Sequence, residues 1–328
     1  MSTRLDRRKL FRLAAGAAVL PSLTRAAMAQ DVYPSRPIHL IVGFSPGSAA
    51  DVAARVFGMG AAPILGQQIV VENKTGAGSS ISGEYAARAA KDGYTLFLAS
   101  LSSVTSQIIH PDPSFDLIRD FAPIAFLARS AVVLVVNPTA NVRSVGELIA
   151  LVKAKPNQML CGSAGFGSLL HFSAELFAQR VGVKLTYVPY PGSPQAVADL
   201  IAGRTMMMFA PASSVIGQIA AGELVALATA ADKRTSALPD VPTMGEAGVP
   251  NFDTSLWFGL EAPTGAPRAV IEKVAAAATA AMHSPQASDT LQKQGFEPLN
   301  GGPDEFGRFI SSEVERWTEV ARLAGMAG

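Results

Sequence analysis

A single cysteine, Cys161, leaves no partner for an intramolecular disulfide and no thiolate cluster for a metal. The four histidines, His39, His110, His171 and His283, are scattered without ligand spacing, so no metal site is expected. No apolar run reaches the roughly 20 residues that a membrane span needs, and the N-terminal one, over 13–20, is stopped by Pro21. A basic surplus is missing as well. Without residues 1–29 the chain carries 21 basic and 25 acidic side chains, which leaves no electrostatic footprint for nucleic acid. The 328 residues suffice for about two domains, whose cohesion must come from packing alone.

The first thirty residues have a different character. "MSTRLDRRKLFRLAAGAAVLPSLTRAAMAQ" joins a basic segment to a short apolar run and the small-x-small site Ala27-Met28-Ala29, the pattern of an export signal. The pair Arg7-Arg8 ahead of Leu10-Phe11, with Arg25 late in the segment, favours the twin-arginine route over the general secretory one. The expected mature chain is periplasmic and begins after residue 29.

Strand-like and helix-like stretches then alternate. "HLIVGF" precedes a helix over 49–62, "QQIVVEN" a helix over 81–90, and "YTLFLAS" a polar segment, which implies parallel strands with crossover helices. The run "FAPIAFLARSAVVLVVNP" exceeds an ordinary strand and is long enough to pass between domains. A second alternating set follows from 145 to about 230. Another extended run, "PNFDTSLWFGLEAP", comes next, and after it only helices are expected. Two crossings imply a second domain inserted into the first, with boundaries at 30–130 plus 256–328 for one lobe and 131–255 for the other.

Four strand-end loops carry the chemistry. Residues 45–50, "KTGAGSSISG" at 74–83, "GSAGFGSLLH" at 162–171 and "YPGSPQ" at 190–195 each run through glycine or serine into a helix. A helix N-terminus leaves its first amides unpaired and carries about half a positive charge, so several aimed at one cleft bind anions. Ser48-Ala-Ala-Asp51 also fits a capping box, as does Ser144-Val-Gly-Glu147, which has no glycine-rich approach and serves as a control. Arg55 lies about two turns up the helix, so amides rather than a guanidinium should dominate the first loop.

Other chemistries fit poorly. "GAGSSI" and "GFGSLL" lack the third glycine of a dinucleotide fingerprint, and no Gly-Lys-Ser/Thr of a phosphate loop is present. "CGSAG" puts Cys161 where a nucleophile elbow needs glycine, and no serine, histidine and acid can be tied together. A periplasmic serine hydrolase using Ser79, Ser163 or Ser168 is the rival from another class. The methionine-rich run at 206–209 reads as a buried strand, and Trp257 with Phe258 suits a core near the crossing.

Laid end to end, "YPSRPIHLIVGFSPGSAADVAAR", "VVENKTGAGSSISGEYAARAAKDGYTLFLAS", "GSAGFGSLLHFSAELF", "VPYPGSPQAVADLIAGRTMMMF" and "ALPDVPTMGEAGVPNFDTSLWFGLEAPTGAP" resemble the Bug family. These are the extracytoplasmic substrate-binding receptors of tripartite tricarboxylate transporters. The resemblance implies an α/β fold of the type II periplasmic binding protein kind, two lobes joined by two crossing strands with a small carboxylate held between them. It implies no enzymatic activity, no cofactor, and as partners either membrane permease subunits or a sensor receptor, for a chain expected to be monomeric.

Carried over by position, the resemblance places first-lobe contacts at Phe44, Ser45, Gly47, Ser48 and Ala49, at Gly76, Ala77, Gly78, Ser79 and Ser80, and at Ser100, Leu101 and Ser102. Second-lobe contacts fall at Ser163, Gly167, Ser168, His171, Tyr190, Gly192 and Phe209. Two departures stand out: Ser45-Pro46-Gly47-Ser48 replaces the family's Pro-Pro-Gly-Gly, and Ala210-Pro211 follows the strand where many members carry Asp. Loss of that carboxylate removes a counter-ion for an amine and points to a plain or aromatic acid.

Overall fold

Alternating apolar stretches become two separate sheets. The computed structural model describes residues 33–109, 115–155 and 158–323, so the expected export signal lies outside the described residues. In chain order the first set is β1 (Ile38–Val42), α1 (Ala49–Leu65), β2 (Ile69–Asn73), α2 (Ser80–Ala87), β3 (Thr95–Ser100), α3 (Leu101–Ile109) and β4 (Phe121–Ser130). The second set is β5 (Val132–Val136), α4 (Val145–Ala154), β6 (Leu160–Ser163), α5 (Leu169–Val181), β7 (Thr186–Pro189), α6 (Ser193–Ile201), β8 (Met207–Pro211), α7 (Ala212–Ala220) and β9 (Val225–Thr229). The chain then returns through β10 (Leu256–Pro263), α8 (Arg268–Met282), α9 (Pro285–Lys293), β11 (Phe296–Pro298) and α10 (Pro303–Leu323).

The first sheet has the order β11-β4-β10-β3-β1-β2 and the second β7-β6-β8-β5-β9. Within each, the strands joined by crossover helices are parallel: β1 with β2 and β3, and β6 with β7 and β8. The strands that carry the chain between sheets are the antiparallel ones, β10 against β3 and β4, and β5 against β8 and β9. Strands β5, β8 and β10 are buried along their whole length, which is why β5 and β8 read as continuous apolar runs rather than as alternation, while β10 carries the buried Glu261. No helix among the described residues is long and apolar enough to cross a membrane.

Three expectations change in detail. The long run at 121–138 is two strands separated only by Ala131, because Ser130 still pairs with Leu256 in the first sheet while Val132 already pairs with Pro211 in the second. The polar segment after β3 is helix α3, whose serines and threonine are weak helix formers. Tertiary bonds compensate: Thr105 Oγ1 donates to Gly167 O at 3.1 Å in the facing loop. The stretch after β10 is not purely helical, since the three-residue β11 pairs with the end of β4. It is too short to leave a periodic signal.

A candidate functional site ringed by helix N-termini

The first loop is organised by a buried carboxylate. Ser48 caps α1 by accepting the Asp51 amide at 3.3 Å, and Asp51 in return accepts the Gly47 amide at 2.9 Å. The control behaves alike: Ser144 Oγ accepts Glu147 N at 3.2 Å, and Glu147 accepts Arg143 N at 2.6 Å. What the control lacks is the rest of the Asp51 shell, where Arg55 donates through Nε and Nη2 at 2.8 and 2.9 Å and Asn73 Nδ2 at 2.9 Å. Burial pushes the Asp51 carboxyl up, but the Arg55, Gly47 and Asn73 hydrogen bonds outweigh it and hold the group below its ordinary value. Arg55 is thereby committed to Asp51 and not to a ligand.

Between the two sheets lies a narrow cavity with a free volume of about 20 Å³ in this arrangement of the lobes. Its walls come from Phe44, Ser48, Ala49, Ala50 and Ser102 on one side, Ala164, Ser168, Leu170, Ser193 and Pro211 on the other, and Leu256 and Phe258 of β10 between them. None of these side chains is charged. Every polar one belongs to the cap or first turn of a helix: Ser48 of α1, Ser102 of α3, Ser168 of α5 and Ser193 of α6, while Pro211 precedes α7. Five helix N-termini therefore surround the cavity among the described residues. Those of α6 and α7 have no side-chain cap; Pro194 in the first turn of α6 carries no N–H, and the Ala212 amide that opens α7 donates to Ala131 O at 2.9 Å.

The facing loops also touch each other directly. Ser45 Oγ donates to Gln195 Oε1 at 3.1 Å, Leu169 N donates to Ser102 Oγ at 3.2 Å, and Thr105 reaches Gly167 as described. A Cβ on Gly78 would lie 2.8 Å from Gly167 C and 2.9 Å from Ser168 N. At Gly192 it would meet Ser45 Oγ at 2.2 Å. Gly78 sits in a run of four positive φ angles, 133°, 46°, 62° and 91° from Gly76 to Ser79. Serine hydroxyls of α3 brace that run, with Ser106 Oγ donating to Ala77 O at 2.9 Å and contacting Ser80 Oγ at 2.5 Å.

Of the residues singled out from the sequence, Phe44, Ser48, Ala49, Ser102 and Ser168 line the cavity. Ser45, Gly78, Gly167 and Gly192 sit where the loops meet, and Gly47 is bound to Asp51. Gly76, Ala77, Ser79 and Ser80 form the braced turn beside it. Ser100 and Leu101 are buried at the β3–α3 junction, Ser163 is buried with no partner for its hydroxyl among the described residues, and Tyr190 donates to Asp199 at 2.8 Å. Phe209 stacks on Phe252 at 5.6 Å inside the second lobe, away from the cavity. The sequence reading did not name Leu256, and it held Ala50, Ala164, Leu170 and Ser193 only as members of the glycine loops, Pro211 as a departure from the family and Phe258 as a core residue near the crossing. For Ser193 and Pro211 a signal existed, the strand-to-helix turns "PGSP" and "FAPASS".

His171 lies under the second-lobe loop, 4 % exposed, with its ring 4.6 Å from that of Phe166 and 4.8 Å from that of Tyr187. Neither ring nitrogen has a hydrogen-bond partner among the described residues, and burial lowers its pKa to about 4. The unfolded chain takes up this proton below about pH 6.5 and the native state resists it, so the stability present above 6.5 drains as pH falls toward 4, by about 3 kcal/mol in all. Melting His171→Leu beside the parent from pH 7 to 4.5 is expected to show the variant gaining on the parent as the solution acidifies. Parallel curves would remove the histidine from the account.

With the geometry in hand, comparison with known proteins places it. A model of the tripartite tricarboxylate transporter family receptor matches residues 53–326. The chain belongs to that receptor family. Among curated relatives of the receptors, Protein BugT of Bordetella pertussis is 36% identical over 302 residues, 92% of this chain and 93% of BugT. Among solved receptors, R. palustris Rpa4515 with adipate superposes with a TM-score of 0.86 at 32% identity, covering 90% of this chain and 99% of that one. MatC from Rhodopseudomonas palustris with bound malate gives 0.85 at 29% identity, covering 88% and 99%. The fold is that of a type II periplasmic binding protein, two α/β lobes joined by crossing strands.

Proposed function

We propose that this receptor captures a plain or aromatic carboxylate, without an ammonium group, between lobes formed by 30–130 with 256–328 and by 131–255. One observation carries the reading: a cavity with no charged lining residue is surrounded by five helix N-termini. Each amide or hydroxyl bond to a carboxylate contributes roughly 1.5–3 kcal/mol, and the converging dipoles favour a negative guest without a guanidinium. No acidic side chain lines the walls to hold an amine, while Phe44, Leu170, Leu256 and Phe258 suit an apolar body. The adipate of Rpa4515 and the malate of MatC are acids of this amine-free kind.

Capture works without chemistry. A ligand bonded to both loop sets stabilises the closed arrangement by contacts that an open one cannot make. The closed, loaded receptor is then presented to permease subunits in the membrane, the receptor itself being exported to the periplasm by the twin-arginine route and acting as a monomer. A hydrolase reading finds no support, since neither ring nitrogen of His171 makes a hydrogen bond to a serine among the described residues.

The test is a melting screen of the mature protein against adipate, malate, benzoate, glutamate and sucrose. Ligand at 100 times its dissociation constant adds roughly 2.7 kcal/mol of stability. Shifts with amine-free acids are expected. A shift with sucrose alone, or with glutamate alone, overturns the reading.

A further inference from the structure

The two tryptophans of the chain, Trp257 and Trp317, share one carboxylate. Trp257 Nε1 donates to Glu313 Oε2 at 2.9 Å and Trp317 Nε1 to the same oxygen at 3.1 Å, while Arg316 reaches Oε1 at 3.4 Å. All three of Trp257, Trp317 and Glu313 are buried. The carboxylate lies on the C-terminal helix α10 and does not line the cavity.

Its two indole donors, however, lead to two different walls of that cavity. Trp257 sits on β10 between Leu256 and Phe258, both of which line it. Trp317 packs edge-on against Phe172 of α5, ring centroids 5.2 Å apart at 87°, and α5 contributes Ser168 and Leu170 to the facing wall. Next to Phe172, Ser173 Oγ donates to Thr254 Oγ1 at 2.9 Å, tying α5 to the segment that enters β10. Phe172 belongs to the second lobe and α10 to the first, so the Trp317 contact spans the lobes.

We infer that Glu313 is a positioning residue for ligand capture, which acts through Trp257 and Trp317 by holding α5 and the returning strand β10 in their closed arrangement. The inference rests on the reading that the lobes close on a ligand. Without the carboxylate both indole N–H groups lose their acceptor in a buried place, and the orientation of Trp317 against Phe172 is no longer set. The closed population falls, and apparent affinity falls by the same fraction, although no ligand contact is lost. Glutamine at 313 still offers a carbonyl oxygen to the indoles, whereas alanine offers nothing.

The experiment measures lobe separation and binding in the full chain. Spin labels on Arg88→Cys and Arg204→Cys, exposed positions on opposite lobes, report the inter-lobe distance distribution, and buried Cys161 stays unlabelled. Glu313→Ala is expected to broaden that distribution, shift the tryptophan emission, and weaken adipate binding at least tenfold; Glu313→Gln should stay within threefold of the parent. If the alanine variant does not fold, Trp317→Phe, which keeps a ring against Phe172 but cannot donate, is expected to broaden the distribution in its place. A lowered melting temperature with an unchanged distance distribution overturns the inference, because Glu313 would then only stabilise. Should adipate not bind the parent, the ligand reading fails, and the ligand-free distances still decide the role of Glu313.

Discussion

Gly78→Ala is expected to abolish ligand-dependent stabilisation while leaving both sheets folded. The added Cβ would press on Gly167 C, Ser168 N and Phe166 O at 2.8–3.0 Å, all of them backbone atoms of the opposite lobe. Backbone cannot rotate out of the way as a side-chain end can, so the lobes must part. A ligand held by both would then keep only one set of partners. The variant also carries a second cost, since Gly78 has φ +62°, and a left-handed alanine is disfavoured by about 1–2 kcal/mol. Gly66→Ala separates the two effects: it has φ +73° and nothing within 4 Å of its Cβ. Gly66→Ala should melt lower than the parent yet keep the full acid-induced shift, and Gly78→Ala should lose that shift. Retention of the shift by Gly78→Ala would show that ligand is not gripped from both sides.

Glu261→Leu is expected to raise the melting temperature by roughly 3–10 °C at pH 7.5. Glu261 lies on β10 opposite Phe97 and Pro123, is fully buried, and has no hydrogen-bond partner for either carboxyl oxygen among the described residues. An unsatisfied buried polar group costs about 1–3 kcal/mol, and leucine would add apolar burial. Burial drives the carboxyl well above its ordinary value. Because the folded state holds the proton more tightly than the unfolded one, the stability it confers is complete below about pH 4.3 and declines as pH rises through the folded value, by up to about 1.4 kcal/mol per pH unit. The gain of Glu261→Leu over the parent should therefore grow with pH and shrink toward pH 4. An equal gain at every pH would leave only the packing contribution.

Glu261 and His171 act in opposite directions over the same acid window. Acidification relieves the first and strains the second, so the parent should show a flatter pH profile than either single variant. Neither residue lines the cavity.

How far the sequence could be read depends on how local each feature is. The caps at Ser48 and Ser144 close within four residues and were legible as a spacing. The buried strands β5 and β8 were legible because an all-apolar run leaves few alternatives. Helix α3 was not, because its Ser and Thr residues argue against a helix until Thr105 finds Gly167, 62 positions away. The four glycine loops marked where helix N-termini point inward, but their amides and hydroxyls divide in a way no motif displays. Gly47 serves Asp51, Leu169 serves Ser102 across the lobes, and Ser193 faces the cavity.

By itself the amino-acid sequence determined the alternation of strands and helices and the two crossings, and it set the expectations of no metal or disulfide chemistry and of an anion at the amide-rich turns. The tertiary structure alone decided which of those turns touch each other, which line the cavity, and that Glu313 joins both tryptophans behind it. The physical reason is range. Caps, turns and periodicity are set by neighbours within a few residues, whereas Ser45 against Gln195, Gly78 against Gly167 and Trp257 against Glu313 are contacts that exist only once two lobes have folded and met.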